Sequence, residues 1–169
     1  MDMDRQPMDM ETYSDQAVNG PCFICRMLAG DPAYAHEVVY EDEDHIAFLD
    51  RWPVLPGKLL VCPKQHLEHC VSDFTEPAYL LMMQTVRLVA LASEDVVPGE
   101  RTYLFSMGSQ AGNSHLHWHV ARIPGGVPYQ EQQFESLKFE RGVVVMDPDE
   151  RAGLADRLRA AIVARLDRG

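Results

Sequence analysis

Three histidines alternate with large apolar residues in His115-Leu116-His117-Trp118-His119, and Val120 continues the apolar set. Side chains of an extended chain point alternately to its two faces. The run therefore predicts a strand over His115 to Arg122, with one imidazole face and one face of Leu116, Trp118 and Val120 turned into a core. Successive imidazoles on such a strand stand about 6.6 Å apart along the chain, a span suited to several groups of one extended ligand. A solvated strand accounts for one histidine better than for three gathered within five residues. Two chemistries remain open at this point. All three imidazoles bind one metal, as in zinc hydrolases; or a neutral imidazole attacks phosphorus while its neighbours steady the phosphoryl oxygens and protonate the leaving group.

The rest of the chain gives this strand a setting. His36 to Tyr40 and His45 to Leu49 are β-favouring runs on either side of the acidic turn Glu41-Asp42-Glu43-Asp44, which is hairpin grammar. After the breaker Trp52-Pro53-Val54-Leu55-Pro56-Gly57, Lys58 to Cys62 reads as a strand stopped by Pro63. Asp73, Glu76 and Pro77 are helix-start signals, and Leu80, Met83, Val86, Val89 and Ala90 recur at helical spacing to about Ser93. Arg101 to Met107 is a further strand, separated from the histidine run by a polar, glycine-containing loop over 108–113. Asp147-Pro148-Asp149-Glu150 opens a last helix, to roughly Arg165. Strands outnumber helices without regular βαβ alternation, so the expected class is α+β on a mostly antiparallel sheet.

Charge and length narrow the function. A chain of 169 residues holds one comfortable core, and a single catalytic domain over 21–169 is expected. Its net charge of −11 disfavours a nucleic-acid backbone as partner, because that affinity comes from Lys and Arg neutralising phosphates. No apolar run reaches the roughly 20 residues that span a bilayer, so no membrane partner is expected. Residues 1–20 hold five acidic residues, one Arg and four Met without an apolar period. They predict a mobile acidic tail with no strand and no secretory signal, and a cytoplasmic protein follows. Free thiols are expected there, and Cys22-x-x-Cys25 is half of a zinc motif. Its redox alternative calls for a thioredoxin-like surround that the chain lacks.

The chain resembles the histidine-triad (HIT) family of nucleotide hydrolases and transferases. The signature His-φ-His-φ-His-φ-φ is met by His115-Leu116-His117-Trp118-His119-Val120-Ala121. His45-Ile46-Ala47-Phe48-Leu49-Asp50, Pro56-Gly57 and Leu59-Leu60-Val61-Cys62-Pro63-Lys64 match the family's nucleoside-binding strand, turn and next strand in order. The resemblance implies a five-stranded sheet with a long central helix and a C-terminal helix, and a homodimer. It implies cleavage of a phosphoanhydride or phosphoramidate bond to release a nucleoside monophosphate, AMP by preference, through a covalent nucleotidyl-histidine. His117 would be the nucleophile and His119 a phosphate or leaving-group contact, with Asp50 on the ribose and Phe48 and Leu49 lining the base pocket. Nucleotidyl transfer, or nucleotide binding with weak catalysis, are the alternatives.

Two departures stand out. Lys58 occupies a position where the family often has His, and is expected to contact the nucleotide. The loop before the triad is shorter than usual, with Asn113 and Ser114 as its candidate phosphate and leaving-group donors. Resemblance to zinc-containing members implies a structural zinc on Cys22, Cys25, His66 and His115, with His69 a rival for His66 and Cys70 a possible further ligand. Such a closed set leaves no position for metal-activated water.

Overall fold

The computed structural model describes residues 4–107 and 114–168. In chain order its principal elements are β1 (Arg5–Gln6), α1 (Met10–Asn19), α2 (Phe23–Leu28), β2 (Val38–Glu41), β3 (His45–Leu49) and β4 (Leu59–Pro63). Then come α3 (Glu76–Val96), β5 (Arg101–Phe105), β6 (Trp118–Ile123), α4 (Tyr129–Gln132), β7 (Val143–Val144) and α5 (Pro148–Leu166). The central sheet has the order β2-β3-β4-β6-β5 and is antiparallel throughout. With the long α3 and the terminal α5, this is the expected α+β architecture.

Local chemistry fixes the hairpin and the helix starts. Asp42 turns the chain between β2 and β3 by accepting from the backbone N–H of Asp44 (2.9 Å) and His45 (2.7 Å). Thr75, not Asp73, caps α3, accepting from Ala78 N–H, while Asp73 holds the preceding loop through the N–H groups of Glu68 and His69. Asp147 caps α5 through Glu150 N–H at 2.9 Å, with Pro148 in the first turn as expected. Gly57, at φ +67°, closes the turn into β4 where a Cβ would stand 2.7 Å from the Val97 side chain, so the Pro-Gly turn needs both the left-handed conformation and the missing side chain.

Alternation along the strands divides the sheet into two working faces. Ala47, Leu49, Leu59, Val61, Trp118 and Val120 face α3 and α5, meeting Met82, Val86, Val89 and Leu158. Ile46, Phe48, Leu60 and Cys62 face the other way, where Ile24 of α2 covers part of the sheet. On the same side, Val54 and Leu55 pack over Ala121 and Ile123 of β6, and a cavity on this face gathers the functional side chains. No described helix is long and apolar enough to cross a membrane.

Two expectations are corrected. The first twenty residues, expected to be a tail without a strand, carry β1 and α1. Asp9 caps α1 by accepting from Glu11 and Thr12 N–H, both at 3.1 Å. β1 pairs with β7 from the far end of the chain, and Arg5 donates to the Gly142 carbonyl at 2.9 Å. A partner so distant leaves no local periodicity to read. The histidine strand is also shorter than expected: β6 begins at Trp118, and His115 to His117 enter it as irregular chain.

Candidate active site and metal centre

The histidine run splits between two places. His115 is fully buried and turns its Nδ1 to two thiols, 3.5 Å from both Cys22 Sγ and Cys25 Sγ. His66 Nδ1 stands 3.2 Å from Cys25 Sγ. The four ligand atoms of Cys22, Cys25, His66 and His115 lie within 4.8 Å of one another, the scale of a tetrahedron with about 2.3 Å to sulfur and 2.0–2.1 Å to nitrogen. The outer contacts fit the same purpose. His115 Nε2 donates to the Pro63 carbonyl at 2.9 Å and His66 Nε2 faces Glu68 Oε1 at 3.3 Å, so each ring keeps its lone pair on the inward Nδ1.

Burial holds His115 down at about 4, neutral as a ligand must be. Burial and the adjacent Cys22 push the Cys25 thiol up to about 11, a cost that a cation at the centre reverses. These residues could hold a metal ion. His69 and Cys70 stand outside the cluster, and Cys70 is exposed. The reading of all three triad histidines on one metal is not what the fold builds, because His115 alone joins the thiols.

His117 and His119 instead line a cavity of about 550 Å³ on the second face of the sheet, together with Asp50 and Lys58. That size lies within the range of small-molecule sites. His117 Nδ1 is 2.8 Å from the His115 carbonyl. A carbonyl only accepts, so Nδ1 carries the proton and Nε2 the lone pair. Burial is the main cause holding the His117 pKa below its usual value.

The His119 ring stacks on Phe105 at 4.8 Å and 23° and meets His117 edge-on at 4.8 Å. Its buried Nδ1 has no partner among the described residues. Burial, then the Lys58 cation and His117, hold it down at about 2. Lys58 is almost wholly buried and reaches Asp50 Oδ2 at 3.1 Å, while Asp50 Oδ1 accepts from Trp52 N–H at 2.9 Å. Each carboxylate oxygen retains a lone pair for a further donor.

Other expected site residues fall elsewhere. Leu49, expected in the base pocket, packs in the α3/α5 core instead, because its neighbour Phe48 takes the cavity-side position of the alternation. Phe48 is fully buried and backs the wall through His36 and Phe23. Ser114, expected beside the phosphate, donates its Oγ–H to Glu68 at 3.0 Å, on the side of the cysteine-histidine cluster. Asn113 lies outside the described residues.

The cavity also takes side chains that sequence reasoning missed: His36, Tyr13 of α1, and Phe139 from beyond β6. Tyr13 stacks on Phe139 at 6.3 Å, and Lys58 Nζ lies 5.8 Å from that ring's centroid. Nothing in their spacing signals this, since each arrives through a long-range chain path.

The HIT domain family matches residues 32–124, more than half of the chain, which therefore belongs to that family. Over 108 residues the chain is 31% identical to an adenosine 5′-monophosphoramidase from Danio rerio, covering 63% of this chain and 67% of that one. Among solved structures, a hypothetical histidine triad nucleotide-binding protein from Sulfolobus tokodaii strain7 superposes with a TM-score of 0.67 at 28% identity, over 85% of this chain and 93% of the other. A zinc-bound histidine triad family protein from Mycobacterium smegmatis matches at TM-score 0.63 and 26% identity, over 86% and 95%. Fold, triad and cysteine-histidine cluster together fit the zinc-containing type of a nucleotide-binding hydrolase and transferase superfamily.

Proposed function

We propose that the protein is a nucleotide hydrolase that releases a nucleoside 5′-monophosphate, AMP by preference, from a phosphate or amine leaving group through a nucleotidyl-His117 intermediate. The observation that carries this reading is the contact of His117 Nδ1 with the His115 carbonyl, which leaves Nε2 as the lone-pair nitrogen of a cavity-lining ring. The Nε2 pair forms an N–P bond to the α-phosphorus while the bond to the leaving oxygen or nitrogen breaks, and the leaving group departs with that pair and gains a proton. Water then attacks the same phosphorus. The N–P bond returns its electrons to the imidazole, and the nucleotide and one proton are released.

The neighbours divide the remaining work. The Lys58 ammonium steadies phosphoryl oxygens in a buried setting where charge is weakly screened. A ring N–H of His119 is a second donor to them. Asp50 accepts from the ribose hydroxyls with the lone pairs that Lys58 and Trp52 leave free. Cys22, Cys25, His66 and His115 would hold zinc, which when bound ties the N-terminal segment to the entrance of the triad strand. The Danio rerio relative's phosphoramidase activity supports an amine leaving group among the substrates. A homodimer belongs to this reading too.

Brief mixing with an adenosine phosphoramidate or a diadenosine polyphosphate, followed by mass spectrometry, tests it. An adenylyl adduct on the natural chain and none on His117→Ala is expected, with turnover lowered at least about 10³-fold. Undiminished turnover by His117→Ala defeats the nucleophile assignment. AMP binding without adduct or product across the panel makes the protein a binding module.

A further inference from the structure

His36 is a histidine outside the triad, on the segment between α2 and β2, that lines the same cavity. Its Nδ1 lies 2.7 Å from the Tyr34 carbonyl, so Nδ1 carries the ring's proton and donates it there. Nε2 then holds the lone pair, and it has no protein partner among the described residues. Burial is the chief cause that lowers the His36 pKa, which keeps the ring neutral and Nε2 an acceptor near pH 7.

The ring's surroundings are aromatic. It meets Phe48 at 4.9 Å and 64°, and Phe23 at 5.8 Å and 39°. Phe23 in turn approaches His117 at 6.3 Å. A nucleotide with its α-phosphorus at His117 and its ribose on Asp50 extends its base past the ribose. Asp50 is close enough for its charge to act on His36. An aromatic cluster suits the face of a base, and a fixed acceptor on its rim can read one edge.

Resting on the nucleotide-hydrolase reading above, we propose that His36 is a specificity-determining residue whose Nε2 accepts a hydrogen bond from an exocyclic amino group of the base. The site then favours adenine-type bases over purines that lack the amine. Phe23, which lines the cavity, supplies contact that every purine shares, with Phe48 buried behind it, so discrimination falls to one neutral hydrogen bond, worth up to about tenfold in affinity.

Calorimetry on the full chain with AMP and with purine riboside 5′-monophosphate, which differs only by the absent amine, tests this. The natural chain is expected to bind AMP about tenfold more tightly. His36→Phe keeps an aromatic ring without the acceptor and should bind the two nucleotides equally, whereas His36→Gln, with a carbonyl acceptor, should recover part of the preference. Equal binding by the natural chain, or a preference that survives His36→Phe in a folded protein, overturns the assignment while leaving the nucleotide site standing. Binding of neither nucleotide by the natural chain overturns both readings.

Discussion

His115 and His119 are four residues apart on one run, yet the fold uses them in opposite ways. His115 has both nitrogens committed, one to the Pro63 carbonyl and one to the Cys22 and Cys25 thiols. His119 is held by its ring face on Phe105, and its buried Nδ1 has no hydrogen-bond partner among the described residues. His117 stands between them in geometry as well as in sequence, with one nitrogen fixed on the His115 backbone and the other left available. A metal centre needs every donor spoken for, whereas a reacting site needs one left over. The comparison teaches that the backbone carbonyl of His115, whose ring joins the thiols, can fix the tautomer of the neighbouring His117.

The largest effect that separates the two ends is expected from removing the cluster. Cys22→Ser combined with Cys25→Ser, or treatment of the natural chain with a strong chelator, should lower Tm by about 10 °C or more, because metal affinity is folding energy where ligands come from distant segments. His117→Ala should leave Tm within a few degrees of the natural chain while turnover collapses. Calorimetric scans beside initial rates separate these outcomes. A metal-free chain with unchanged Tm would show that the cluster does not staple the fold.

The pH dependence of stability sharpens the cavity end. The folded His119 pKa, about 2, is depressed from an ordinary value of 6.5, so below pH 6.5 the unfolded chain takes up a proton that the folded chain refuses. Stability from this group is therefore fully present above pH 6.5 and is lost as pH falls from there toward the folded value. The slope is about 1.4 kcal/mol per pH unit once the unfolded histidine is protonated. His119→Phe removes that linkage, and urea titrations at pH 7, 6 and 5 should show a shallower decline for the variant. Parallel declines would mean that the folded ring titrates near its ordinary value.

Much of this arrangement was legible in the chain. The alternation of Leu116, Trp118 and Val120 against the histidines located the core face, and Asp147-Pro148 located the start of α5, because period-two burial and helix capping are local physics. The cysteine pair with His66 and His115 assembled as the family resemblance implied. What stayed hidden depends on distant chain. β1 exists because β7 completes it, and Tyr13 reaches the cavity wall because Phe139 stacks on it. Leu49 differs, because the signal for it is local: Asp50 lines the cavity and Phe48 shares its period-two parity, so the alternation itself assigns Leu49 to the core face.

Ser114 supplies the smallest and most discriminating difference. Motif position puts it beside the phosphate, but its hydroxyl is engaged by Glu68, whose same oxygen faces His66 Nε2. Carboxylates that hold a ligating histidine typically change metal affinity by 10–100-fold, and the exposure of Glu68 argues for the lower end. Glu68→Ala should weaken metal binding about tenfold in competition with a chromophoric chelator. Ser114→Ala, which removes one of the carboxylate's two partners, should weaken it by a few fold and leave kcat of the metal-loaded enzyme within about twofold. A large fall in kcat with unchanged metal affinity would return Ser114 to the leaving-group side of the reaction, with the hydroxyl exchanging Glu68 for the substrate when a nucleotide binds.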